Sequence, residues 1–366
     1  MAKSRLKLSI IGTHGIPAKY GGFETLADFL SCHLNEKYDI TVFCNAKKYS
    51  EHPGYYCGVR LKYLSLDASG WQGILYDFIT YIDALINSDV ILYLSPVGSG
   101  FMTPLNLLFR RRVITNHGGL NEWDRPKLNK FQKKWAKFNH AVAAHFSDIN
   151  VVDNLLYKES LKNNFNVNSV LIRYGGDHVK AVARNDEQFC QKYAHLPHKY
   201  AVSVSRAQID NNIHLVLDAF AECKELSLVM VSNWGVSAYG TRLKNQYKNV
   251  PNIILLDAVY EKDELDYIRS NAYSYIHSHS FCGTAPSLVE AMYLGKAIFC
   301  YDVPTNRETT QNSAFFFSDS QSLLDILRTT SELELIANAK KMKDIAEKEY
   351  RWDLIAQQYS DIIGAY

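Results

Sequence analysis

The chain has 366 residues, more than one ordinary domain requires and enough for two. Forty Lys and Arg against 38 Asp and Glu leave a net charge of +2, which excludes a polyelectrolyte coat for nucleic acid. With 47% hydrophobic and 21% charged residues, intrinsic disorder is excluded as well.

Residues 1–7 run into an apolar strand with no leader-like segment or cleavage site, so a cytoplasmic location is expected. Short apolar runs at 6–11, 40–44, 90–94, 113–115 and 149–152 predict buried strands. Helical stretches at 24–34 and 76–86 lie between them. The uncharged stretch 90–109 contains Pro96, Gly98, Gly100 and Pro104, so it predicts a strand, a loop and a helix start rather than a membrane span. After residue 178 the alternation restarts, with strands expected at 200–204, 228–231, 253–256, 273–277 and 297–300. Strand–helix–strand repeated in this way predicts an α/β chain of two Rossmann-like domains, each a parallel sheet covered on both faces, with ligands at the strand ends and an interdomain cleft. The seven cysteines are scattered and never form C-x-x-C, so no disulfide framework and no zinc site is expected.

Three segments could carry chemistry. The first strand opens into a loop with Gly12, Gly15, Gly21 and Gly22, followed by Phe23, Glu24 and a helix. Two readings stand: a tight turn, or a backbone cradle with a helix start facing a phosphate. Arg206, two residues past the strand 200–204, is either a phosphate clamp or one half of a surface ion pair. In the segment 277–292, a strand ends at His277, a small-residue loop follows, and Pro286 suits the first turn of a helix. The backbone N–H groups of Ser287, Leu288 and Val289 could then meet a diphosphate, with Glu290 accepting from ribose hydroxyls. The alternative is a capped helix with Glu290 favouring its dipole. His277 and His279 are expected to line the ligand pocket, with no third ligand near them and no metal bound.

The stretch Ile11-Gly-Thr-His-Gly-Ile-Pro-Ala-Lys-Tyr-Gly-Gly-Phe-Glu-Thr25 resembles the opening signature of GT-B-fold, retaining glycosyltransferases of the bacterial rhamnosyltransferase-like branch. Gly119-Leu, Glu122-Trp123, Tyr174-Gly, Ser205-Arg206, Asn211-Asn212, Asn271-Ala-Tyr and the block Gly283-Thr284 to Glu290-Ala-Met extend the resemblance over nearly the whole chain. It implies an acceptor-side domain over 1–177 and a nucleotide-sugar-binding domain over 178–345. A C-terminal helix within 346–366 would cross back onto the first domain.

The activity it implies is transfer of a sugar, rhamnose from a dTDP donor, to a lipid-linked saccharide in cell-surface polysaccharide synthesis. Gly21 and Gly22 would face the donor diphosphate and sugar, Arg206 would hold the diphosphate, and Glu290 the ribose. Asn211, Gly283, Thr284, Ser287, Leu288 and Val289 would complete the donor site. His117 would lie near the reacting sugar, and Phe23, Glu24, Glu122 and Trp123 on the acceptor side. Cys282 stands where most retaining relatives have a first glutamate, and Asn211 where they have a lysine; both departures fit the rhamnosyl-like branch. No cofactor and no metal is expected. Rival expectations are a non-catalytic sugar-nucleotide-binding assembly protein and a nucleotide-sugar epimerase on the same scaffold.

Charge is unevenly spread: residues 1–178 carry 21 basic and 15 acidic groups, and residues 179–366 carry 19 and 23. Within 100–140 lie Arg110, Arg111, Arg112, Arg125, Lys127, Lys130, Lys133, Lys134 and Lys137, a basic segment over 110–137, with Leu128, Phe131, Trp135 and Phe138 at helical spacing. This is either a surface helix with its core stripe or a basic amphipathic edge on the inner membrane surface.

Overall fold

A computed structural model describes residues 5–19, 21–68, 70–126 and 128–365. Residues 1–4 of the N-terminal segment, Tyr20 of the glycine-rich loop and Lys127 of the basic segment lie outside the described residues. The chain divides into two units, 1–174 with 352–366, and 175–351.

Unit 1 is built, in order, from β1 (Lys7–Ile11), α1 (Gly22–Leu34), β2 (Asp39–Asn45), β3 (Tyr55–Tyr56), β4 (Val59–Leu64), α2 (Gly70–Asn87), β5 (Val90–Leu94), α3 (Asn106–Phe109), β6 (Arg112–Asn116), α4 (Lys130–Phe146), β7 (Ile149–Val152), α5 (Leu155–Phe165) and β8 (Val170–Leu171). Its sheet runs β3-β4-β2-β1-β5-β6-β7-β8, parallel except for the β3–β4 pair. Every residue of β5 is buried, because helices cover a parallel strand on both sides. Tyr81, Ala84 and Leu85 of α2 pack with Ile91 and Tyr93 of β5 in one core cluster.

Unit 2 follows with β9 (Tyr200–Val204), α6 (Ile213–Glu222), β10 (Ser227–Ser232), α7 (Ala238–Tyr247), β11 (Ile253–Asp257), α8 (Lys262–Ser270), β12 (Ser274–His277), α9 (Pro286–Tyr293), β13 (Ala297–Tyr301), α10 (Pro304–Thr309), β14 (Phe315–Phe317), α11 (Ser320–Thr329) and α12 (Glu332–Glu349). The described strands form one parallel sheet in the order β11-β10-β9-β12-β13-β14. The last helix, α13 (Trp352–Gly364), belongs to unit 1. Trp352 stacks on Phe29 of α1 with ring centroids 4.8 Å apart, and Asn116 donates to the Tyr359 hydroxyl at 2.7 Å.

In both units the strand order reverses beside the first strand. The switch points fall between β1 and β5 in unit 1 and between β9 and β12 in unit 2. Loops leaving the carboxyl ends of those strands diverge and open a crevice, which is where open α/β sheets bind ligands. Among the described residues, no helix is long and apolar enough to cross a membrane.

Candidate active site

The switch point of unit 2 brings Ser205 and Arg206, just past β9, beside His277, Ser278 and His279 at the end of β12. The Ser205 hydroxyl and His279 Nε2 are 2.9 Å apart. Burial and then the nearby Arg206 charge push the His279 pKa down to about 3, so the ring is neutral at physiological pH. Arg206 is exposed, and among the described residues no carboxylate pairs with it. The surface ion pair left open by the sequence is therefore not formed.

Asn211 has a different job from the one expected. It is buried, its amide donates to the Arg206 carbonyl at 2.8 Å, and its own carbonyl accepts from the Ser278 hydroxyl at 2.5 Å. Asn211 thus ties the loop after β9 to the loop after β12 and fixes the backbone that carries Arg206.

Pro286 occupies the first turn of α9, and Ala285 caps the helix without a side-chain hydrogen bond. The Leu288 and Val289 N–H groups donate to the Ala285 carbonyl at 3.0 and 3.3 Å, and both side chains are core. This corrects the expectation that they present donors to a diphosphate: both N–H groups close the first turn of α9 onto the Ala285 carbonyl. Gly283 and Thr284 are buried in the loop before the helix. The Ser287 hydroxyl lies against Tyr275 of β12.

Glu290 is buried with its two carboxylate oxygens on two partners: Arg269 of α8 at 2.6 Å and His178 at 3.0 Å. Asp266 lies 3.9 Å from the other side of the Arg269 guanidinium. Burial alone would raise the Glu290 pKa, but Arg269 and His178 outweigh it and hold the carboxylate down to about 2. A carboxylate offers about four lone-pair directions, so ribose hydroxyls still have acceptors there. Neither Arg269 nor His178 was singled out in the sequence; only the packing of α8 and the 175–178 segment on α9 brings them to Glu290.

One further grouping was missed. The ligand atoms of His277, His279 and Cys282 all lie within 4.8 Å of one another, with Cys282 Sγ 3.8 Å from His277 Nε2. Cys282 is thus the third metal-capable group that the spacing of the two histidines did not reveal.

Unit 1 accounts for its glycines by close packing. A Cβ on Gly12 would overlap the Leu94 carbonyl at the end of β5, and φ there is +81°. A Cβ on Gly21, at φ +105°, would overlap the Glu24 carboxylate. That carboxylate accepts from the His14 N–H at 3.0 Å, and Asp28 accepts from the Ala18 N–H at 2.8 Å. Two acids of α1 thereby pin the loop after β1, so Glu24 holds the loop and is buried. Gly22 begins α1, whose start has no side-chain cap. Phe23 is half-buried, with its ring edge against Gly118.

His117 is 2% exposed, with Nδ1 3.1 Å from His140 and Nε2 2.9 Å from Asn150. Burial lowers its pKa to about 4. Trp123 is a core residue, edge-on to His140 and Phe165 at 5.2 and 5.3 Å. Its ring faces protein, whereas the sequence placed it on the acceptor side. Glu122 is forked onto Arg125, with one of the two bonds at 2.8 Å. The short, polar segment 117–125 is therefore braced from within by a buried histidine pair and a tryptophan.

Residues 6–177 match the family model described as "Domain of unknown function (DUF1972)", and residues 185–352 match "Glycosyl transferases group 1". No curated protein matches the sequence. Among solved structures, a sucrose-phosphate synthase from Thermosynechococcus elongatus is similar with a TM-score of 0.81 at 15% identity, over 99% of this chain and 100% of that one. HepE of Anabaena in complex with UDP gives 0.76 at 15% identity, over 99% and 100%. HepE in complex with UDP-glucose gives 0.74 at 14% identity over the same shares. The α/β fold with two parallel-sheet domains is that of GT-B glycosyltransferases.

Proposed function

We propose that this chain, a glycosyltransferase whose second unit carries the group 1 domain, moves a sugar from a nucleoside-diphosphate donor to a lipid-linked saccharide. The carrying observation is an exposed arginine without a carboxylate partner at the switch point of the unit 2 sheet, beside the Ser205–His279 pair. That the similarly folded HepE was solved with UDP-glucose supports a nucleoside-diphosphate sugar as donor. The opening motif at 11–25, Asn211 and Cys282 support rhamnose, carried by dTDP, within this class.

In the reaction, the bond between the anomeric carbon and the phosphate oxygen breaks, and its electron pair stays on the departing diphosphate. The acceptor hydroxyl attacks the same face, so configuration is retained, and its proton passes to the departing phosphate oxygen. Arg206 stabilises the charge growing on that oxygen; one preorganised donor of this kind is worth about 3 kcal/mol. Neutral His279 and Ser205 offer hydrogen bonds without adding charge. Glu290, oriented by Arg269 and His178, takes the ribose hydroxyls, and Gly283, Thr284 and Ser287 line the donor. Gly21 and Gly22 supply the uncapped start of α1, and unit 1 provides the acceptor side. His117, buried against His140 and Asn150, acts as a positioning residue within the 117–125 segment.

Arg206 carries the charge that a divalent ion would otherwise supply, so transfer proceeds without metal. The test is donor turnover by Arg206→Ala and by the wild-type chain after chelation. Arg206→Ala lowers kcat/KM roughly 10²–10³-fold, and chelation leaves the wild type unchanged. An unimpaired Arg206→Ala overturns the assignment of Arg206. Loss on chelation overturns metal independence and directs attention to His277, His279 and Cys282.

A further inference from the structure

We infer that unit 1 docks onto an anionic lipid bilayer through the outer face of α2, α3 and α4, with the Leu107–Leu108 pair entering the apolar layer. This deepens the lipid-linked acceptor reading above, but its test reads binding rather than transfer, so either can fail alone.

The three helices share one layer of the unit. α2 turns Tyr81, Ala84 and Leu85 inward, and the Tyr81 hydroxyl donates to the Thr103 carbonyl at 3.2 Å. The Arg111 Nε donates to the Leu85 carbonyl at 2.9 Å. On the other side, Asn139 of α4 accepts from the Phe101 N–H at 2.9 Å, and Phe101 and Trp135 have ring centroids 5.5 Å apart. The 100–111 segment therefore lies between α2 and α4.

The outward surface of this layer is apolar. Leu107 and Leu108 are 68% and 81% exposed, and Phe131 of α4 is 76% exposed. Phe138, two helical turns on, and Leu75 and Phe78 of α2 are exposed too. α4 buries Ala136, Asn139, His140, Ala143 and Ala144 instead, so the Phe131–Phe138 stripe faces solvent rather than the sheet. Soluble proteins seldom expose so many large apolar side chains on neighbouring elements.

Charge identifies the occupant. α4 carries Lys130, Lys133, Lys134 and Lys137 and no acidic residue. Arg110 ends α3 in a left-handed conformation. The two acids of α2 are spent internally: Asp77 accepts from the Ser99 hydroxyl at 2.5 Å, and Asp83 pairs with Lys62 at 2.7 Å. Apolar tips flanked by lysines match the headgroup and acyl layers of an anionic membrane.

The full-length chain is sedimented with vesicles of equal phosphatidylglycerol and phosphatidylcholine, and with phosphatidylcholine alone, at low and high salt. Binding is expected to the anionic vesicles and to weaken with salt. Lys130→Gln with Lys133→Gln and Lys134→Gln lowers the partition coefficient roughly 100-fold and removes most of the salt dependence. Leu107→Ser with Leu108→Ser lowers it roughly tenfold while leaving salt dependence in place. Leu107, Leu108, Lys130 and Lys134 are exposed and Lys133 is half-buried, and unchanged thermal melts confirm folding. Absence of binding at low salt, or binding indifferent to both sets of replacements, overturns the proposal. So does a dimer in sedimentation velocity that the leucine replacements dissociate while vesicles remain unbound, since the face then meets a second copy.

Discussion

Glu290 shows how a single side chain is set by its surroundings. Its pKa falls from 4.5 to about 2 because Arg269 and His178 outweigh the cost of burial. A depressed carboxylate pKa contributes stability that is complete above the unfolded value and is lost as pH falls toward the folded one. Glu290→Gln should therefore be less stable than the wild type by about 3 kcal/mol at pH 7, since it leaves Arg269 buried without its counter-charge. In denaturant titrations that difference should shrink steadily between pH 4.5 and 2. A constant difference across that range would contradict the assignment. Arg206 and Glu290 were legible as candidates because a charged residue at a strand end, or one turn into a helix that follows a small-residue loop, is a local signal. Arg269, His178 and Asp266 were not, since their relation to Glu290 exists only after α8 packs on α9. His117 and Trp123 show the opposite failure. A strand-end histidine and a nearby aromatic look the same in sequence whether they meet substrate or, as here, His140, Asn150 and Phe165.

Secondary elements were the most legible level, because a strand buried on both faces writes itself as an unbroken apolar run. The expected bounds 90–94, 149–152 and 200–204 coincide with β5, β7 and β9. β4 escaped notice because Arg60 and Lys62 interleave with buried Val59 and Leu61, as suits a strand near the sheet edge. β3 and β8 have two residues each and β14 three, too short for any period to register. The α4 stripe was visible, but helical spacing says only that a stripe exists, not which way it turns. The turn after β1 depends on Gly12, whose φ of +81° and contact with the Leu94 carbonyl leave no room for a side chain. Gly12→Ala should cost at least about 3 kcal/mol, combining left-handed strain with steric overlap at the β1–β5 switch point. Thermal melts check this; a variant as stable as the wild type would mean the loop can shift, and the packing account of the glycine would fall.

For the whole molecule, a strand order that reverses beside the first strand of each sheet gives two crevices, one at each switch point. The uneven charge sits sensibly on that plan, with the basic excess in the half that carries the proposed membrane face. The two parallel-sheet domains were readable from their alternating apolar runs, while the proposed donor identity rests on a few loop residues that the fold leaves unconstrained. The most direct measurement is release of dTDP from dTDP-rhamnose by the purified chain, with and without extracted lipid-linked saccharide. Release that rises steeply with the saccharide, together with a retained anomeric configuration in the extended product, is what the account predicts. No release in either condition, or conversion of the donor sugar without an acceptor, would contradict it.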